Sequence, residues 1–134
     1  MDIGNLGKKL NLDEGEWIES EMEGVRFKVR STNYKPFREA TATLARRTKD
    51  LKTGKGILKF SVAAGALLAE HILLDWDGIK DGGKSAKYTP EKALAVLTSD
   101  DDFGIGDAYR KAVEDAGNAY RDQLAETAKE AAGN

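Results

Sequence analysis

The cleanest pattern in the chain is Val25-Arg26-Phe27-Lys28-Val29-Arg30, where apolar and basic side chains alternate without a break. Alternation of period two puts Val25, Phe27 and Val29 on one face of a strand and the three bases on the other. Glu16-Trp17-Ile18-Glu19-Ser20-Glu21-Met22 reads as a short strand, and Glu23-Gly24 as the turn between the two. An N-terminal β-hairpin is therefore predicted.

From residue 34 the period changes. Phe37, Leu44 and Leu51 recur every seven positions, with Ala40 and Ala45 beside them, which predicts a helix over 34–52. Ser31-Thr32-Asn33 offers capping side chains, Pro36 fits a first turn, and Thr53-Gly54-Lys55-Gly56 ends the pattern. Residues 57–75 are apolar nearly all round, with Ala63-Ala64-Gly65-Ala66 in the middle. That predicts a second helix, central and closely packed. Trp76-Asp77-Gly78 breaks it.

A small β-hairpin is expected near residues 79–88, because Asp81-Gly82-Gly83-Lys84 favours a tight turn with positive φ. Thr89-Pro90 pairs an N-cap with a first-turn proline and predicts a helix to about residue 98. The last helix should start at 103–107 and run to about 131. Its seam is Ile105, Tyr109, Val113, Ala116, Tyr120, Leu124 and Ala128, a narrow stripe. Gly117 inside it costs about 1 kcal/mol relative to alanine. The expected fold class is α+β, mainly α-helical: the N-terminal β-hairpin, about four helices and the small hairpin near 79–88. The expected organisation is a flexible leader over 1–14, one domain over 15–131 and a disordered tail over 132–134.

Composition narrows the chemistry. The 134 residues include 18 Ala and only 2 Pro, which favours helix over a β-sandwich. With no Cys and one His, disulfides, thiolate nucleophiles, Cys-type zinc sites and multi-His metal sites are excluded. The start of the chain lacks a basic, then apolar, signal sequence. The apolar stretch 57–74 contains Lys59, Glu70 and His71, so it reads as a core helix and not a membrane span. A soluble, intracellular protein is expected.

The net charge of −2 conceals strong segregation. Residues 1–25 carry net −5, 26–59 net +9, 60–90 net −1 and 91–134 net −5. Such blocks steer partners, or neutralise each other on folding or self-assembly. Arg46, Arg47, Lys49 and Lys52 gather at the end of the first predicted helix, where positive charge also suits the helix dipole.

Three motifs invite sharper readings. Gly78-Ile79-Lys80-Asp81-Gly82-Gly83-Lys84-Ser85 fits G-x-x-x-x-G-K-[ST], the phosphate loop. That loop needs a parallel strand before it and a helix opening at Lys-Ser. Here the next helix starts only at Pro90, and Asp81 would repel phosphate, so a hairpin turn is the better reading. Asp75, Asp77 and Asp81 suggest a calcium loop, but its fifth and twelfth positions fall on Ile79 and Ala86. Asp100-Asp101-Asp102 reads as negative charge ahead of a helix N-terminus. His71 has no recognisable catalytic partner, so no catalytic, cofactor or metal residues are assigned and an enzyme is not expected. The basic 26–59 segment leaves a small nucleic-acid-binding accessory protein as an alternative.

The order of these signals resembles a known family. Phe27-Lys28-Val29-Arg30, then Asn33-x-x-x-Phe37, then Leu73-Leu74-Asp75-Trp76-Asp77-Gly78-Ile79 and an Asp-Gly-Gly turn stand in sequence. Tyr88-Thr89-Pro90-Glu91-x-Ala93-x-x-x-Leu97 and a long C-terminal helix complete it. The whole is similar to the tail assembly chaperones of long-tailed bacteriophages. The resemblance implies a non-enzymatic factor that binds the tape-measure protein, helps recruit tail tube subunits and leaves before maturation. It also implies self-association, a place in the host cytoplasm, absence from the mature virion and, in many such phages, a frameshifted longer form. A structural tail component that stays in the virion is a further alternative. Arg46 and Arg47, with Tyr109, Val113, Tyr120 and Leu124, are the candidate residues for self-association or client contact. The competing reading of the Tyr109 to Leu124 seam is that it packs on the chain's own core.

Overall fold

A computed structural model describes residues 14–48 and 54–132. The expected leader, save residue 14, lies outside the described residues; so do Leu51, Thr53 and the last two positions of the expected tail.

The hairpin forms where alternation predicts it. Strand β1 (Glu16–Glu19) pairs antiparallel with β2 (Arg26–Val29), Ile18 opposite Phe27. Phe27 and Val29 are fully buried, whereas Arg26 and Lys28 stay half-exposed. Helix α1 (Lys35–Thr48) follows, then α2 (Gly54–Leu67). No residue of α1 is buried, so its apolar positions Phe37 and Leu44 pack only partly.

The second predicted helix is corrected at its C-terminal end. Its regular turns stop at Leu67; Leu68–Ile72 form one wider turn, closed by a bond from the Leu73 N–H to the Leu68 carbonyl. The chain then straightens into β3 (Leu73–Asp77), which joins β2 as the third strand in the order β1-β2-β3. Phe27 lies opposite Trp76 and Val29 opposite Leu73, with a bulge at Lys28/Val29. An apolar run reads equally as buried helix or buried strand, and here the open edge of β2 decides. The central placement of α2 is also corrected. Ile57 is 64% exposed and Leu58 45%. Gly56 and Gly65 are buried, while Ile57 to Phe60 between them are exposed.

The small hairpin is β4 (Lys80–Asp81) and β5 (Lys84–Ser85), joined by Gly82 and Gly83 at φ 58° and 81°. Positive φ at both central residues is the type I′ geometry that matches strand twist. Thr89 then caps α3 (Pro90–Leu97), its hydroxyl accepting the Lys92 N–H at 3.1 Å.

Helix α4 (Ile105–Ala132) closes the molecule. It lies on the face of the sheet that carries Phe27 and Val29, in contact with β1 and β2. Val113, Ala116 and Tyr120 are buried there, and Tyr109 meets Phe27 edge-on at 6.5 Å. The observed class is α+β, mainly helical, as the patterning predicts.

Candidate functional site

Two features organise the surface: a clasp that fixes three helices, and two open grooves beside it. The clasp begins with Arg110, a charged residue only 6% exposed on the inner side of α4. A buried guanidinium must hydrogen-bond to be tolerated. It donates to the Leu97 carbonyl at 3.1 Å, the Ser99 carbonyl at 2.7 Å and the Ser61 hydroxyl at 3.1 Å. The two carbonyls belong to the C-terminal end of α3, where the helix dipole favours positive charge. Glycine makes the approach close enough. A Cβ on Gly65 of α2 would stand 1.9 Å from the Leu97 oxygen, and one on Gly106 would stand 2.1 Å from the Ser99 oxygen.

Asp101 completes this corner. Its carboxylate accepts the N–H groups of Ile105 at 3.1 Å and Gly106 at 2.9 Å, the start of α4. Bonds from Gly106 first, then Ile105, hold its pKa below the ordinary carboxylate range. Within the acid run, Asp101 is therefore the helix cap. Among the described residues, no three His, Cys, Asp or Glu side chains gather to hold a metal ion.

The first groove lies between the head of α1 and the tail of α4 and encloses about 670 Å³. Tyr34, Pro36, Leu124, Ala125 and Ala128 give it an apolar lining, and the charged residues on it are Lys35 and Arg121. Lys35 lies 3.8 Å from Glu39 and Arg121 3.1 Å from Asp122, each partner exposed and on the same helix. The second groove, about 560 Å³, runs between the small hairpin, α3 and the start of α4. Ile79, Val96 and Tyr109 line it, with Phe103 and Ile105 at 90% and 53% exposure. Its charges are mixed, Lys80 and Lys92 with Asp81 and Asp101. Sequence reasoning missed Phe103 and Arg121: Phe103 lies outside any periodic stripe, and Arg121 is one of many scattered surface charges.

The predicted contact residues do not converge. Val113 is fully buried and Tyr120 is 5% exposed, so both face the chain's own core. Burial raises the Tyr120 phenol's pKa, with Glu16 adding to it. Tyr109 is half-buried and borders the second groove, its pKa raised by burial, and Leu124 borders the first. Arg46 and Arg47 stand exposed in the last turn of α1.

Two of the bases at 26–30, Arg26 in β2 and Arg30 just past it, find partners within the chain. Arg26 pairs with Asp77 at 2.9 Å and covers the Trp17 ring, Lys28 lies in register with Asp75, and Arg30 donates to the His71 carbonyl. The Gly78–Ser85 stretch is the hairpin described above, and no helix opens at Lys84-Ser85. No helix among the described residues is long and apolar enough to cross a membrane.

No curated protein and no solved structure matches the chain. The family described as YdaY prophage protein matches residues 31–134, from the end of β2 through all four helices. That match spans well over half of the sequence, so the chain belongs to the YdaY prophage protein family and is phage-derived.

Proposed function

We propose that this protein is a phage tail assembly chaperone. On this reading it binds the tape-measure protein stoichiometrically, keeps that long helical chain covered and helps recruit tail tube subunits. It works by binding and makes or breaks no covalent bond. The observation that supports the reading best is the apolar groove walled by α1 and α4. A holdase for a helical client needs a seam that accepts one apolar helix face. Membership of a prophage family supports a phage role for the chain.

The test is co-expression with the tape-measure protein of the same prophage. The expected result is a soluble complex that co-elutes on size exclusion, while the tape-measure protein alone precipitates. A tape-measure protein that stays insoluble, or elutes apart from this chain, sinks the proposal.

A further inference from the structure

The two grooves differ in the charges they present. The second mixes signs, whereas the charged residues lining the first are both cations, Lys35 and Arg121. Their ion-pair partners, Glu39 and Asp122, are exposed neighbours on the same helices, so water already weakens those pairs, and Arg121 also donates to the Asn118 side chain at 3.3 Å. The rest of the lining is mainly apolar, with Ser31 and Asn33 as its uncharged polar members. On α4 the spacing Arg121, Leu124, Ala125, Ala128 is a helical stripe beyond Tyr120, the last buried residue of that helix. Helices α1 and α4 wall the groove together with the 31–34 segment, and none of the described residues that line it belongs to a strand, so it fits the ridge of another helix and not an added strand.

We infer that this groove takes one face of an amphipathic helix from a partner polypeptide, with carboxylates along its flank facing Lys35 and Arg121. The inference rests on the holdase reading and adds the chemistry of the client segment. Leu124 and Tyr34 supply the contact for apolar anchors at i, i+3 or i+4, and i+7. The two cations set the preferred sign of the flanks and bias against a basic helix of the same apolar pattern.

Two labelled peptides test this by fluorescence anisotropy against the full chain. Both carry the same leucines at helical spacing; one has glutamates on its flanks, the other lysines. The acidic peptide is expected to bind about tenfold more tightly than the basic one, a ratio two exposed ion pairs can supply. The double variant Lys35→Glu/Arg121→Glu should invert the preference, with circular dichroism showing that the fold survives loss of the Arg121–Asn118 bond. Ala125→Trp, at an exposed position, should fill the groove and weaken both peptides. Equal binding of the two peptides, no binding of either, or acidic binding untouched by these variants overturns the inference. Tighter binding of single-stranded DNA than of the acidic peptide overturns it as well. Tape-measure co-elution is scored separately on the wild-type chain. Co-elution with failed peptides removes the groove assignment alone; failed co-elution with a sign-selective groove removes the chaperone reading alone.

Discussion

At the scale of single residues, Arg110 matters most to the described structure. It is one of the few polar side chains in the core, and it satisfies the Leu97 and Ser99 carbonyls past the end of α3, where Thr98 serves the Leu94 carbonyl. Hydrogen bonds from a charged donor are worth more than neutral ones, and their loss leaves the Leu97 and Ser99 carbonyls under-satisfied. Arg110→Met, which keeps most of the stem, should destabilise the fold by about 2–3 kcal/mol, read from the urea midpoint. A change within about 0.5 kcal/mol would mean the clasp is idle. Little of this was legible in the sequence. The arginine's partners are main-chain carbonyls and a serine 49 positions away, and neither leaves a pattern. Gly65 and Gly106 are equally silent, since a helix-internal glycine looks like a propensity defect until the oxygen it admits is seen.

At the scale of elements, local chemistry was readable and long-range choice was not. The turn at Asp81-Gly82-Gly83-Lys84, the Thr89-Pro90 start of α3 and the inward face of β2 all follow from neighbours in sequence. The third strand does not: Leu73-Leu74-Asp75-Trp76-Asp77 continues an apolar run, and only the unpaired side of β2 turns it into a strand. The α4 seam was visible as a stripe, but a stripe does not say whether it meets the chain's own sheet or a partner. For Val113 and Tyr120 it meets the sheet. Among the elements, the start of α4 makes a pH-dependent prediction. Asp101 has a lowered pKa in the folded state, so its contribution is complete above the unfolded carboxylate pKa of about 4 and is lost as pH falls through the lower folded value. Asp101→Ala should therefore lower Tm at neutral pH, and the gap to wild type should hold down to about pH 5 and narrow in stronger acid. A gap that stays constant into strong acid would mean that the charge on Asp101 adds nothing to the cap. The variant also leaves the Ile105 and Gly106 N–H groups without their side-chain acceptor, a direct effect at every pH.

At the scale of the molecule, charge segregation is partly settled inside the chain and partly left on its surface. Arg26 and Lys28 face Asp77 and Asp75 across the sheet, and Lys111 bridges Asp115 at 2.7 Å and Glu21 at 3.2 Å. Those contacts raise the Lys111 pKa, the Asp115 bond most of all. Arg46 and Arg47, by contrast, end α1 in solvent, while α4 carries Glu114, Asp122 and Glu126 outward. If the chaperone proposal holds, these opposite surfaces are expected to meet between copies, head to tail, as in heterologous contacts. Arg46→Glu/Arg47→Glu should then lower the assembly mass in light scattering at low salt, with no loss of folded signal. An unchanged mass would assign self-association to another surface. For the chaperone as opposed to a resident tail component, mass spectrometry of purified particles should find no copies of this chain.

The order of strands also fixes when the molecule can take shape during synthesis. The middle strand is bracketed by a partner made just before it and another made more than forty residues later, so the sheet stays two-stranded until position 77 has left the ribosome. Its greasy side waits longer still, since the lid over Phe27 and Val29 is drawn from positions 109–120. Nascent chains halted before that lid emerges would present bare phenylalanine and valine to the host's folding machinery.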